Sequence, residues 1–199
     1  MCSRFELRGE RDAVAARFGL RETPPWPNAA EIRPTDMVLA VRGGRGKLFR
    51  WGLAVDWDKR PLINARAETL DQRPAFRRLV SSSRVLVPAT AWWEWRAEPD
   101  GGRTRMRMAH RDGSLFALAG LFESDRLVIV TCAASPALAS VHDRMPVVLS
   151  PEAEDMWADA SLPFTVAASA LAPYDGELAA VPEPAPVPPT PRPAQGELF

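Results

Sequence analysis

The sequence predicts an α+β fold: a β-rich single domain of mostly antiparallel strands, a few peripheral helices and an extended Pro-rich C-terminal tail. Short strand-forming runs recur along the chain, and Gly-containing turns such as VRGGRG, EPDGG and RDGS separate them. That punctuation is typical of antiparallel hairpins. With 199 residues, 46% hydrophobic and 25% charged, the chain suits one soluble domain and a tail.

Six strands and three helices are predicted from local patterns. The strands are Met37–Arg42, Leu48–Leu53, Arg84–Pro88, Arg103–Ala109, Leu115–Leu121 and Leu127–Thr131. The helices are Arg11–Leu20, Arg73–Val80 and Glu152–Ala160, the last preceded by Ser150 as N-cap and Pro151 as first helical residue.

The composition changes at Val181. Seven of the fourteen residues 181–194 are Pro, which predicts an extended linker rather than a helix or central strand. We therefore divide the chain into a main domain (1–180), a linker (181–194) and a terminal peptide, QGELF (195–199).

The net charge of zero hides an asymmetry. Residues 1–112 carry 22 Lys and Arg against 14 Asp and Glu, whereas residues 113–199 carry 3 against 11. A basic first half favours nucleic acid as a partner. The chain shows no secretory signal, no run of about 18 apolar residues and no disulfide framework, so we expect a cytoplasmic protein. Its two His residues do not form a metal-ligand pattern, and we expect no metal and no cofactor.

Cys2 follows the initiator Met. Removal of Met1 would leave an α-amine and a thiol on one residue, with ordinary pKa values of roughly 8 and 8.5. Such a 1,2-aminothiol can act as an N-terminal nucleophile or trap an aldehyde as a thiazolidine. An accidental cysteine near a chain start is the alternative that position alone leaves open.

Three further segments carry chemistry. In INARAET, an extended backbone would place Asn64, Arg66 and Glu68 on one face; the alternative is a surface on which Arg and Glu merely pair. In AWWEWR, neighbouring indoles would desolvate Glu94 and raise its pKa toward the acid/base range, unless strand alternation exposes it. In VHDRMPVVL, His142 could move protons and Arg144 could hold a phosphate, although a lone His is often structural.

Taken in order, MCSRF, WGL, PLINARAET, WEW, AGLFE and VHDRMPVVL resemble the SOS response-associated peptidase (SRAP) family, from residue 1 to about Leu149. Members link an N-terminal Cys covalently to abasic sites in single-stranded DNA. The resemblance implies that Cys2 crosslinks, with Asn64, Glu94 and His142 completing the catalytic set. It also implies that DNA is bound by the side chains Arg4, Trp57, Arg66 and Arg144.

The sequence also departs from the family pattern. Ser3 replaces the usual Gly, and Glu31-Ile32-Arg33-Pro34 replaces Asn-(Ile/Val)-Ala-Pro. A carboxylate at Glu31 would repel a phosphate unless Arg33 compensates. The C-terminal strand common in the family is expected to be missing, its place taken by the proline tail.

The terminal QGELF resembles the QxxLF peptide that binds the bacterial sliding clamp, with Gln195, Leu198 and Phe199 as contacts. The preferred hypothesis is therefore a monomeric DNA-repair protein of the nucleoid and replication fork that captures abasic sites in single-stranded DNA. A thiol (auto)peptidase using Cys2 and a non-reactive DNA- or clamp-binding adaptor are the alternatives.

Overall fold

Two larger β-sheets, one separate two-stranded sheet and a few short helices make up the fold, in a computed structural model that describes residues 2–22, 24–26 and 29–184. The α-helices are α1 Arg11–Arg17, α2 Pro74–Arg77, α3 Leu79–Ser82, α4 Pro151–Ala158 and α5 Phe164–Ala167, with 3-10 helices at Ala67–Thr69 and Ala168–Leu171. The strands are β1 Phe5–Leu7, β2 Ala29–Ile32, β3 Met37–Arg42, β4 Arg45–Trp51, β5 Leu53–Val55, β6 Asp58–Leu62, β7 Asn64–Arg66, β8 Arg84–Ala89, β9 Ala91–Ala97, β10 Arg103–His110, β11 Phe116–Glu123, β12 Arg126–Ala133, β13 Arg144–Pro146, β14 Val148–Leu149 and β15 Leu178–Pro182.

The first sheet has five antiparallel strands in the order β15-β10-β9-β1-β2. In the second sheet, the order β12-β4-β3-β8-β11 closes on itself because β11 also pairs with β12. Strands β7 and β13 add to the same β12, and the β12 pairings with β4 and β7 are parallel. The predicted β-rich, mostly antiparallel α+β fold is confirmed.

Aromatic side chains join the two sheets. Phe5 of the first sheet meets Trp51 of the second edge to face, with ring centroids 5.2 Å apart, and Trp92 meets Phe116 at 5.9 Å in the same geometry. All four are buried, and such pairs add stability beyond the area that they bury.

The boundaries of several predicted elements need correction. The strand predicted through Leu53 breaks at Gly52, whose φ of +119° would be strained for other residues and where an added Cβ would lie 2.7 Å from the Cβ of Pro61. The helix predicted at 73–80 is two short helices, α2 and α3, and the first helix ends at Arg17. The capping prediction is confirmed, since the Ser150 side chain accepts a hydrogen bond at the start of α4.

The prediction that the C-terminal strand is missing was wrong. Residues Leu178–Pro182 form β15, which pairs with β10 from Met106 to His110. Val181 and Pro182, assigned to the linker from composition, therefore belong to the sheet. An edge strand tolerates this proline because no further strand needs a hydrogen bond from the missing N–H. The remainder of the linker from residue 185 and the QGELF peptide lie outside the described residues.

Within the part of the chain that the structure describes, no helix is long and apolar enough to cross a membrane.

Candidate functional site

Cys2 lies where the chain enters the first sheet, next to strands of both sheets. Its side chain is fully buried, and its thiol donates to the Arg4 carbonyl with Sγ and O 3.6 Å apart. Asn64 Nδ2 donates to the Cys2 carbonyl at 2.8 Å. Because Asn64 belongs to the second sheet, this bond ties the backbone at Cys2 to the opposite sheet.

Asn64 begins β7, which runs parallel to β12 with Asn64 paired to Ile129. Its Oδ1 is buried and has no hydrogen-bond partner among the described residues. A buried carbonyl oxygen without a donor is costly, so the amide can fix Cys2 with its NH₂ group and accept a hydrogen bond from a substrate with its oxygen. The prediction that Asn64, Arg66 and Glu68 share one strand face is wrong for Glu68. Ala65 is buried as the alternation requires, but the strand ends at Arg66, and Glu68 lies in the following 3-10 helix.

Glu94 is buried on β9, so the alternative in which strand alternation exposes it is wrong. Alternation places Trp92 on the same face as Glu94, with Trp93 and Trp95 on the other. Burial raises the pKa of Glu94 to about 7, and the charge of Asp143 acts in the same direction. A carboxyl group with this pKa can give or take a proton at neutral pH.

Burial also raises the pKa of the Cys2 thiol well above its usual range, and the nearby charge of Glu94 adds to the effect. The thiol is therefore protonated at neutral pH in this arrangement. Because two buried anions repel each other, Glu94 favours a protonated Cys2 when it is ionised itself. Transfer of a proton from the Cys2 sulfur to Glu94 means that the thiolate and the carboxylate are never charged at the same time in this buried site.

His142 lies in the loop before β13, held by pairing of Arg144 with Ala133 and by a bond from the Ala134 N–H to the Asp143 carbonyl at 2.9 Å. The Arg144 N–H donates to His142 Nδ1 at 3.0 Å, and Asp143 Oδ1 lies 2.7 Å from the same nitrogen. The first contact favours an unprotonated Nδ1 and the second a protonated one. Burial lowers the pKa of His142, while Asp143 opposes the change.

Arg144 forms a two-point ion pair with Glu68, with N–O distances of 2.6 and 3.0 Å, and also donates to the Thr131 carbonyl at 2.8 Å. Hydrogen bonding from Arg144 holds the pKa of Glu68 below its usual range. The partner of Glu68 is therefore Arg144 rather than Arg66. This pairing fixes the guanidinium of Arg144 beside the His142 loop.

Two predicted DNA-binding side chains are exposed: Trp57 on the separate two-stranded sheet of β5 and β6, and Arg66 on the second sheet. Trp57 is 70% exposed at the turn between β5 and β6. It borders a cleft of about 420 Å³ lined also by Leu62, Pro74 and Phe76. Arg66 is exposed at the end of β7. An exposed indole beside an apolar cleft can stack on a nucleobase.

Sequence reasoning missed Arg105, which binds the Glu31 carboxylate together with Arg33 and the predicted Arg4. The alternation of Arg with Met in RTRMRM could have indicated a basic strand face. Gln195, Leu198 and Phe199 of the predicted clamp-binding peptide lie outside the residues described. Across residues 2–22, 24–26 and 29–184, no group of three or more His, Cys, Asp or Glu side chains could hold a metal ion.

Comparisons with known proteins show which family the chain belongs to. The family model "SOS response associated peptidase (SRAP)" matches residues 1–187. The chain is similar to the abasic site processing protein YedK of Escherichia coli, with 38% identity over 79% of each chain. It is also similar to the abasic site processing protein YoqW of Bacillus subtilis, with 32% identity over 79% of this chain and 80% of the relative.

Solved structures share the fold. A protein from Bacteroides thetaiotaomicron superposes with a TM-score of 0.80 at 23% identity, covering 90% of each chain. A protein from Bordetella bronchiseptica gives 0.80 at 23% identity, covering 92% of this chain and all of the other. By the match of the family model over residues 1–187, this chain belongs to the SRAP family.

Proposed function

We propose that this protein captures abasic sites in single-stranded DNA covalently through Cys2, after Met1 has been removed. The observation that carries the proposal is the pairing of a fixed Cys2, whose carbonyl accepts from Asn64 at 2.8 Å, with a buried Glu94 of pKa about 7. Relatives named abasic site processing proteins match most of the chain and support the choice of substrate.

The chemistry begins with an aldehyde. A ring-opened abasic deoxyribose presents a C1′ aldehyde, and the Cys2 α-amine attacks that carbon. Loss of the carbonyl oxygen as water leaves a C=N bond. The Cys2 sulfur then adds to the same carbon, its proton ends on the ring nitrogen, and a thiazolidine closes. One water leaves, no electrons are exchanged and no cofactor is needed.

Glu94 suits both proton transfers. Protonated, it can donate to the departing oxygen; ionised, it can take the proton from the thiol, whose raised pKa keeps sulfur neutral until the C=N bond has formed. An iminium cation next to ionised Glu94 is stabilised by the buried negative charge. Asp143, the neighbour of His142, is close enough for its charge to raise the pKa of Glu94, and His142 can relay protons to and from the sugar.

DNA binding would use three of the side chains that the family resemblance selects. Arg66 can contact phosphates, Arg144 can share its guanidinium between Glu68 and a phosphate, and Trp57 can stack on a base next to the lesion. We expect this to occur in the cytoplasm, on single strands exposed in the nucleoid.

The decisive experiment is a denaturing gel. Processed protein, with the loss of Met1 verified by mass spectrometry, is mixed with single-stranded DNA carrying one abasic site. A shifted band is expected from the wild type and from the matched thiol control Cys132→Ala, and none from Cys2→Ala. If the processed wild type produces no band, the capture proposal fails and the non-reactive adaptor is favoured.

The thiol (auto)peptidase is tested in the same series. Peptidase activity predicts Cys2-dependent cleavage of a peptide leader placed before Cys2, at a rate that DNA does not change. Capture predicts that a retained leader blocks the crosslink, because the α-amine is then an amide.

We also propose that the QGELF peptide binds the sliding clamp. Deletion of residues 195–199 should abolish binding to purified clamp while leaving the crosslink intact. Equal clamp binding by the shortened chain would refute this assignment.

A further inference from the structure

Three guanidinium groups meet at one carboxylate on the open face of the first sheet. Glu31 Oε1 accepts from Arg4 Nε at 3.1 Å and from Arg33 Nε at 2.8 Å, and Oε2 accepts from Arg105 Nη2 at 2.7 Å. We call the three arginines, Arg4, Arg33 and Arg105, the arginine cluster. They come from the segment before β1, from the end of β2 and from β10, so only the folded sheet assembles them.

The charges do not balance. Three cations contact one anion, and the Trp93 indole N–H holds a second carboxylate, that of Glu183, nearby, so one positive charge is still left in excess. Burial by itself would raise the pKa of Glu31, but hydrogen bonds from Arg105 and Arg33 outweigh it and hold that pKa below its usual range. Glu31 is therefore ionised at neutral pH, and the cluster can accept a second anion or exchange its own.

Arg105 is built into the sheet. Its side chain is 6% exposed, its guanidinium carbon lies 4.5 Å from the Trp93 ring centroid, and its Nε is buried without a hydrogen-bond partner among the described residues. A guanidinium held this way loses little freedom when it binds an anion. Arg33, by contrast, is 59% exposed, so one side of the cluster faces solvent.

The cluster is also close to the reactive residue. Arg4 is two residues from Cys2, which places their Cα atoms within about 7 Å even for an extended chain. Arg4 Nη1 donates to the intervening Ser3 carbonyl at 2.6 Å while Nε of the same guanidinium donates to Glu31 at 3.1 Å.

We propose that the arginine cluster binds a backbone phosphate of the single strand engaged at Cys2, and that Glu31 occupies this position until the phosphate displaces it. The proposal rests on the proposed function. Carboxylate and phosphate oxygens compete for the same planar donors. Glu31 thus weakens the hold on undamaged strands, and retention depends on the covalent step at Cys2.

The test measures binding of an undamaged, fluorescently labelled single strand at several salt concentrations. Glu31→Gln should tighten binding about fivefold to tenfold at low salt, the size expected for removing one repelling charge at contact distance. Arg33→Gln, at an exposed position, should weaken binding and lower the slope of log K against log salt by about 0.7.

Glu177→Gln and Arg111→Gln are the matched controls. Both are exposed at the opposite end of β10, about 20 Å from Arg105 at the usual rise per strand residue. They change the net charge by the same amount and should move the affinity far less. If Glu31→Gln binds no tighter than Glu177→Gln, or binds more weakly than the wild type, the competing role of Glu31 is refuted.

The gel assay keeps the two proposals separate. A wild type that crosslinks, combined with a Glu31→Gln variant that binds no tighter, overturns only the role of the cluster. A wild type that does not crosslink, combined with a Glu31→Gln variant that binds tighter, overturns capture and leaves a phosphate site.

Discussion

Replacing Glu94 by Gln should stabilise the protein at alkaline pH while impairing its chemistry. The pKa of Glu94 rises from 4.5 to about 7 on folding, chiefly through burial. Below pH 4.5 the carboxyl is neutral in both states. Between pH 4.5 and 7 the folded state keeps a proton that the unfolded chain releases, so the free energy of unfolding falls as pH rises. At 1.36 kcal/mol per pH unit, the total loss is about 3 kcal/mol.

Glu94→Gln is neutral at every pH and lacks this loss. Its stability relative to the wild type should therefore rise by about 3 kcal/mol between pH 4.5 and pH 8, then level off. Urea unfolding of both proteins across this range measures the difference, with the exposed Glu177→Gln as a matched carboxyl-to-amide control. A wild-type-to-variant difference that is constant over the range would refute the reasoning, because a buried carboxyl cannot ionise without cost.

Three further outcomes are expected. Gly52→Ala should lower the free energy of unfolding by at least about 2 kcal/mol, because it strains the backbone and brings the new Cβ into overlap with the ring of Pro61. Gly101→Ala, with φ +84° and open space around it, should lower it by about 1 kcal/mol. Thermal unfolding compares the two variants, and equal losses of stability would contradict the overlap at Gly52. Arg84→Ala should cost about 3 kcal/mol or more, because the buried Arg84 donates to four backbone carbonyls around α3 and α4. The exposed Arg77→Ala should cost under about 0.5 kcal/mol in the same urea series, and a small effect at Arg84 would show that water replaces those bonds. Asn64→Leu should slow crosslinking at least about tenfold, measured as single-turnover gel kinetics, and a wild-type rate would remove the positioning role of the amide.

Local sequence patterns were sufficient to predict elements whose structure depends only on their own residues, such as a single strand or a helix cap. Met37–Arg42 forms the strand that its apolar run predicts, and Ser150 caps its helix as expected. Gly52 interrupts a predicted strand because its conformation is set by a neighbouring segment rather than by the local sequence. The C-terminal strand was missed because the proline-rich composition predicted a linker, whereas the free edge of β10 pairs with residues 178–182 in the folded protein.

The candidate site divides in the same way. Cys2, Asn64, Glu94 and His142 could be selected from residue type and family motif, since their chemistry is carried by single side chains. Their protonation states could not be predicted from the sequence, because the pKa of Glu94 depends on which face of β9 is buried.

Sequence by itself determined which groups are available here: an aminothiol precursor at Cys2, an acid among tryptophans, and an arginine-rich first half. Only the tertiary structure decided which of these groups meet. Glu68 holds Arg144 rather than Arg66, and Glu31 gathers arginines from three separate segments rather than Arg33 alone. The physical reason is that ion pairs and burial depend on distance in space, and strands remote in sequence become neighbours only when the sheets close.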